Sequence, residues 1–265
     1  MPKCALCKRQ NVDLRQSHIV PKLIYKRIRS HPRSRFRNLS DIKKPLQDGE
    51  KHKMLCHDCE IKFSGFETRF ANEFMDIYLK DESIPKITPN FGWLSNYCLS
   101  VTWRILFDDL YRMNSYEQSW HRSTFEQFES ILRQHLNVET ISDVKPSEVE
   151  NYIFKLGDIV KTQEHSTLLE KMIFGYSYFD DVSHIFVVYT YYAGLIFATR
   201  FFPKDFIVLD SGKNLFISLF RTKKRTMWHS LRHEIIEETV KIAIQYEEAM
   251  TPELQKNIKK YYNGK

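Results

Sequence analysis

The stretch LCHDCE, Leu55–Glu60, decides the reading of this chain, because its Cys-x-x-Cys pair has an earlier counterpart in CALC, Cys4–Cys7. Each pair sets two thiolates on one tight turn. Two such pairs with 48 residues between them supply the four sulfur ligands of a tetrahedral zinc site. Four thiolates leave no open position, so the expected zinc is structural. The segment between the pairs is basic, polar and poor in large apolar side chains, too poor to fold unaided. Clipping its ends to one ion supplies on the order of 10 kcal/mol of folding free energy. The start of the chain, MPKCALCKRQ, has no apolar leader-like run, so a reducing, cytoplasmic setting is expected and a disulfide reading fits poorly. The fifth cysteine, Cys98, stands in an apolar helical stretch and is expected in the core.

Charge points the same way. Residues 1–53 carry fifteen Lys or Arg against four Asp or Glu, whereas residues 54–265 carry twenty-five against twenty-nine. The whole positive excess behind the net charge of +7 therefore lies in the first fifth of the chain. No acid stands between Leu14 and Ser40, where Arg15, Lys22, Lys26, Arg27, Arg29, Arg33, Arg35 and Arg37 follow one another. In a folded, metal-clipped segment such a series is suited to phosphate, since neutralising a nucleic-acid backbone releases its counterions. Nucleic acid, DNA first, is the expected partner. No run approaches the ~18–20 apolar residues of a membrane helix, so no membrane partner is expected. With 265 residues, 42% of them hydrophobic, the chain is long enough to bury a sizeable core.

Between the cysteine pairs, VDLRQSHIVP (Val12–Pro21) reads as extended: Val12, Leu14 and Ile19 fit a short hairpin whose second strand Pro21 ends. After Cys59 the pattern changes period. Phe63, Phe66, Phe70, Phe74 and Ile77 recur at steps of three and four, which predicts a helix to about residue 80 with one apolar stripe. His57 reads as a solvent-facing knuckle residue, His52 as a loop or hairpin residue, and Ser64 as a hydrogen-bond partner for Glu60 one turn away.

With these residues in this order, Cys4-x2-Cys7, Ser17-His18-Ile19-Val20-Pro21 and Leu55-Cys56-x2-Cys59-Glu60, residues 3–80 resemble a zinc-stabilised HNH endonuclease module, the ββα-metal finger. The resemblance implies that His18 is the general base that activates water. It also implies a catalytic Mg²⁺ or Mn²⁺, held by the residue before that histidine and by the one opening the helix. Here those are Ser17, where the family usually has an acid, and Glu60, where it has His or Asn. Lys51 stands where a helping asparagine is usual and is suited to phosphate. The assignments are chemically coherent, because imidazole titrates near neutrality and a hard cation suits phosphate oxygens.

The rest of the chain reads as a second domain, residues 81–265, after a Pro-containing boundary at 81–92. Residues 93–113 are apolar nearly all round and predict a buried helix containing Trp93, Tyr97, Val101, Ile105 and Phe107. The adjacent acids Asp108 and Asp109 are expected in solvent. An amphipathic helix follows at about 116–136, on Trp120, Phe125, Phe128, Ile131 and Leu132. From Lys171 onward, MIFGYSYF, HIFVVYTYY, LIFATRFF, FIVL and LFISLF predict an antiparallel meander of about five strands. A final helix is predicted at about 228–249, on which His229, His233 and Glu234 read as surface residues.

The expected fold is thus α+β: an amino-terminal zinc-clipped ββα-metal module (1–80), a helical middle (91–145), and a β-rich carboxy-terminal part (146–265) with a final helix. By the resemblance, the expected function is metal-dependent endonuclease action on DNA, with RNA the second choice, in bacterial restriction or phage defence. His18 and Glu60 would carry the chemistry. Arg15, Lys22, Lys26, Arg29, Arg33, Arg35, Arg37 and Lys51 would bind nucleic acid. Residues 81–265 would serve a protein partner or a homo-oligomer. The reading from another class is a zinc-dependent nucleic-acid-binding protein without catalysis.

Overall fold

A computed structural model of the chain describes residues 2–28, 36–37, 45–46, 48–81, 83–85, 92–115, 117, 121–138, 146, 148–155, 173–180 and 185–201, with nine further positions between 237 and 256. The order is β1 (Leu14–His18), α1 (Lys22–Ile28), β2 (Phe36–Arg37), β3 (Pro45–Leu46), β4 (Lys51–Cys56) and α2 (His57–Phe70). A π-helical turn (Ala71–Met75) then leads into α3 (Asp76–Asp81), followed by α4 (Gly92–Tyr111) and α5 (Arg122–Asn137). Strands β5 (Val149–Lys155), β6 (Phe174–Asp180), β7 (Ile185–Tyr192) and β8 (Leu195–Phe201) complete the architecture of mixed helix and sheet.

The extended stretch around His18 does not fold on itself as a local hairpin. It pairs with a distant partner: β1 runs antiparallel to β4, with Ser17 opposite His52 and His18 opposite Lys51. The cysteines explain the choice of partner, since bringing Cys4 and Cys7 to Cys56 and Cys59 lays residues 14–18 against 51–56. A register shift between Arg15 and Gln16 leaves Met54 outside the pairing, and its carbonyl accepts the Ala5 N–H at 2.9 Å. Such a bulge re-aims one backbone group, and here it ties the first knuckle to the ribbon. Nor does Pro21 end a strand. Its carbonyl accepts the Ile24 N–H at 3.0 Å, so it opens α1, where its fixed φ and missing N–H cost nothing.

The long helix after Cys59 is present, with one local change. The π-helical turn inserts an extra residue into the stripe, so that Phe63, Phe70, Phe74 and Tyr78 are buried while Ile77 is 42% exposed. The buried α4 packs against α2, α5 and the sheet, and its 20 residues include 16 buried ones. The side chains named for it are buried except Phe107, which is partly so. α5 buries Phe125, Phe128, Leu132 and Leu136; Trp120 lies outside the described residues.

Among the described residues the carboxy-terminal sheet has four strands in the order β5-β8-β7-β6, all pairs antiparallel. β5 is a strand that composition did not single out; the stretches FIVL and LFISLF lie outside the described residues, as do His229, His233 and Glu234. The β7–β8 turn is Ala193-Gly194, both at positive φ (53° and 73°), the backbone that matches the twist of a two-residue hairpin. α4 meets β6 so closely that a Cβ at Gly175 would stand 2.5 Å from the Ile105 side chain.

The cores of the two halves are continuous. Phe70 stacks on Tyr97 with ring centroids 3.8 Å apart, its edge meets Tyr192 and Phe197, and the Tyr78 hydroxyl donates to the Ala193 carbonyl. The acids expected in solvent are instead drawn into the fold: Asp108 is buried and Asp109 partly buried. Asp108 is gripped by Arg112, and Asp109 accepts from the Ser177 N–H at 2.7 Å and the Ser177 hydroxyl at 2.6 Å. Packing of β6 on α4 is the cause, and that burial pushes the Asp109 carboxyl up to about 6.

Candidate functional site

The four paired cysteines converge. Cys4 and Cys7 stand on a turn stabilised by left-handed Lys8 (φ 61°) and by Cys4 N–H donating to the Arg9 carbonyl. Cys56 ends β4 and Cys59 lies in the first turn of α2. The Sγ atoms of Cys4 and Cys59 are 3.8 Å apart, as are those of Cys7 and Cys56, and all four lie within 4.8 Å of one another. Four sulfurs at about 2.3 Å from a tetrahedral zinc stand about 3.8 Å apart, so the donor set fits an ion such as zinc. Three N–H···S contacts support thiolate charge: Cys56 N–H to Cys4 at 3.3 Å, and the Arg9 guanidinium to Cys7 at 3.3 Å and Cys56 at 3.1 Å. The Cys59 sulfur pulls Cys4 below the ordinary thiol range and is itself pushed above it by that neighbour.

From this clip the ribbon presents two adjacent side chains in opposite directions, as neighbouring strand residues must. Ser17 is fully buried; its hydroxyl bonds the Glu60 carboxylate and accepts the Leu55 N–H at 3.2 Å. Burial raises the Glu60 carboxyl above its ordinary value, with the Ser17 hydrogen bond opposing. Ser64 is exposed and makes no bond to Glu60.

His18 turns toward Asp48, its Nε2 3.4 Å from Oδ2. That nitrogen is closed to solvent and has no hydrogen-bond partner among the described residues. Asp48 is itself buried, with the Lys22 ammonium at 3.0 Å and the Lys51 ammonium at 3.1 Å. Burial alone would raise Asp48, but the two lysines outweigh it and hold the carboxyl at about 2. His18 moves below its usual value, driven by burial against the opposing pull of Asp48. The imidazole is therefore neutral at neutral pH beside a carboxylate that is ionised.

Strand position is fixed from outside the ribbon. Arg104, 2% exposed on α4, donates to the His18 carbonyl at 3.0 Å and to Glu67 at 2.8 Å, and lies over the Phe63 ring. Composition gave no signal for Arg104 or Asp48; each becomes visible only when distant elements meet.

Of the residues named for nucleic acid, Lys22 and Lys51 converge on Asp48, while Arg15 and Lys26 are exposed. Arg29, Arg33 and Arg35 lie outside the described residues, and Arg37 is described only as backbone paired with Pro45. Positive charge continues past the ribbon, where Lys3, Lys8 and Lys53 line one depression beside the first knuckle together with Phe107. His18 and Glu60 share no hydrogen bond or ion pair. His57 is exposed, and His52 faces Asp108. No helix among the described residues is long and apolar enough to cross a membrane. Set against protein-family models, curated proteins and solved structures, the chain finds no match.

Proposed function

We propose that the chain is a metal-dependent endonuclease of the HNH type, hydrolysing phosphodiester bonds in DNA in preference to RNA, in a restriction or phage-defence setting. The supporting observation is the His18–Asp48 pair between two lysines. An ionised carboxylate 3.4 Å from Nε2 favours the tautomer with the ring proton there, which would leave Nδ1 the lone pair a base needs. His18 would take a proton from water, the hydroxide would form a bond to phosphorus, and the bond from phosphorus to the 3′ oxygen would break. Lys22 and Lys51, about half-exposed, would hold the phosphate oxygens. Ser17 and Glu60 would hold a hard divalent ion, which keeps several waters and needs only one or two carboxylates. Such an ion supplies positive charge for the leaving oxygen. Zinc on the four cysteines would hold the ribbon in shape.

A specific observation favours the second reading, a nucleic-acid-binding protein without cleavage: Glu60 is paired with Ser17 on the side of the strand opposite His18. Plasmid nicking in Mg²⁺ or Mn²⁺ separates the two. The nuclease nicks, and His18→Ala loses nicking by about 10²-fold or more while retaining DNA, the scale of a lost general base. Salt-sensitive DNA retention with no nicking by the native protein gives the second reading.

A further inference from the structure

A second group of donors lies where the ribbon meets α4. Glu50 and His52, at the start of β4, face Asp108 on α4, and one donor atom from each lies within 4.8 Å of the others. The His52 Nε2 is 3.8 Å from Asp108 Oδ1, too far for a hydrogen bond. That nitrogen is closed to solvent and has no hydrogen-bond partner among the described residues. A buried imidazole nitrogen facing a carboxylate without bonding to it calls for a partner. Nitrogen and oxygen ligands at about 2.0–2.2 Å from one ion stand roughly 3–4 Å apart; His52 and Asp108 meet that separation at 3.8 Å, with the Glu50 carboxylate within 4.8 Å of both.

The surroundings are those of a ligand set. Arg112 donates to both oxygens of Asp108, at 2.5 and 2.7 Å, and comes within 3.6 Å of Glu50. A carboxylate offers about four lone-pair sites, so two remain on Asp108, and its orientation is already fixed. Glu50 and Arg112 are each 36% exposed at the side chain, which leaves a side open for water ligands.

We propose that Glu50, His52 and Asp108 bind a divalent transition-metal ion, separate from the four-cysteine centre and from the Ser17–Glu60 pair. One imidazole with two carboxylates suits Mn²⁺ or Zn²⁺ better than Mg²⁺ or Ca²⁺, which take oxygen ligands. The ion joins the clipped ribbon to α4, tying the first half of the chain to the second at a point where the cysteines do not reach. It does not depend on nuclease chemistry, since it uses neither His18 nor Glu60.

The test uses the protein carrying one zinc per chain, the four-cysteine equivalent, titrated with Mn²⁺ and followed by the electron paramagnetic resonance signal of the free ion. The native protein is expected to bind Mn²⁺, and His52→Gln and Glu50→Gln each to weaken that site tenfold or more, while Glu60→Gln leaves it unchanged. Both substitutions fall on partly exposed side chains, and circular dichroism confirms that the variants fold. Absence of Mn²⁺ binding by the native protein, equal binding in all variants, or loss only in Glu60→Gln would each overturn the proposal. Native protein that nicks no DNA while this titration succeeds would sink the nuclease reading alone.

Discussion

Residues 4–59 and residues 92–201 solve the same problem in opposite ways. The first region is short of large side chains and gathers itself around four sulfurs, with Leu6, Val20, Ile24, Tyr25, Met54 and Leu55 among the buried groups beside them. The second buries Tyr97, Trp103, Phe125, Phe128, Tyr191 and Tyr192 almost completely and packs ring on ring, as in the 4.4 Å stack of Phe128 on Phe201. A region that buries little apolar surface keeps its polar chemistry near the surface, and there the histidine, the buried aspartate and the lysines meet. A region that buries much becomes a scaffold. An ion on the four sulfurs would free the basic segment from having to form a core of its own.

The sharpest way to break that comparison is Cys59→Ser. Native protein should carry about one tightly held zinc, and the variant should lose it, together with a site worth on the order of 10 kcal/mol. Amide-exchange protection should then collapse over β1 and β4 while α4 and the sheet stay protected. A zinc-free chain with an intact ribbon would refute the clip.

Phe70→Ala should come next, at about 3–5 kcal/mol, because its ring stands between the halves against Tyr97, Tyr192 and Phe197. Urea melting followed by probes in each half should show both midpoints moving together. Movement of one alone would mean that the shared core does not couple them.

Gly49→Ala should cost more than about 1 kcal/mol. Gly49 has φ +88°, and a Cβ there would fall 2.2 Å from the Tyr25 ring. The thermal midpoint should drop, and a neighbouring Asp48 displaced from His18 should lower nicking as well.

Two partly buried groups should give opposite pH dependences. Asp109, raised to about 6, binds its proton more tightly folded than unfolded, so its contribution to stability rises as pH falls through 6 toward 4. His18 is lowered, so the unfolded chain takes up the proton first and stability falls as pH drops through about 6.5. Denaturation free energies measured from pH 8 to 4 should lose the first slope in Asp109→Asn and the second in His18→Gln. The smallest effect is expected from Gly65→Ala in α2, where a Cβ meets nothing within 4 Å; helix propensity should add about 0.5–1 kcal/mol to the urea-melting free energy.

Much of this was legible in residue order. The four cysteines, the helix after Cys59 and the buried helix at 92–111 follow from spacing and apolar period, which are local properties. The strand at 149–155 was not legible, because VENYIFK is no more apolar than many helical segments and acquires its state by pairing with β8. The Asp108–Asp109 pair misled for the same reason: adjacent acids at a helix end are normally wet, and only the arrival of β6 and the ribbon buries them. Ile77 went astray through a π-helical turn that no period of 3.6 anticipates.

The sequence by itself determined which atoms could hold an ion, where positive charge gathers, and which helices must be buried, since each depends on residue type and near spacing. Tertiary structure alone decided that β1 pairs with β4, that His18 faces Asp48 while Ser17 faces Glu60, and that Arg104 grips the strand from α4. The physical reason is that strand pairing, side-chain direction and burial of charge are set by partners tens of residues away, whose free energies come due only when the chain closes on itself.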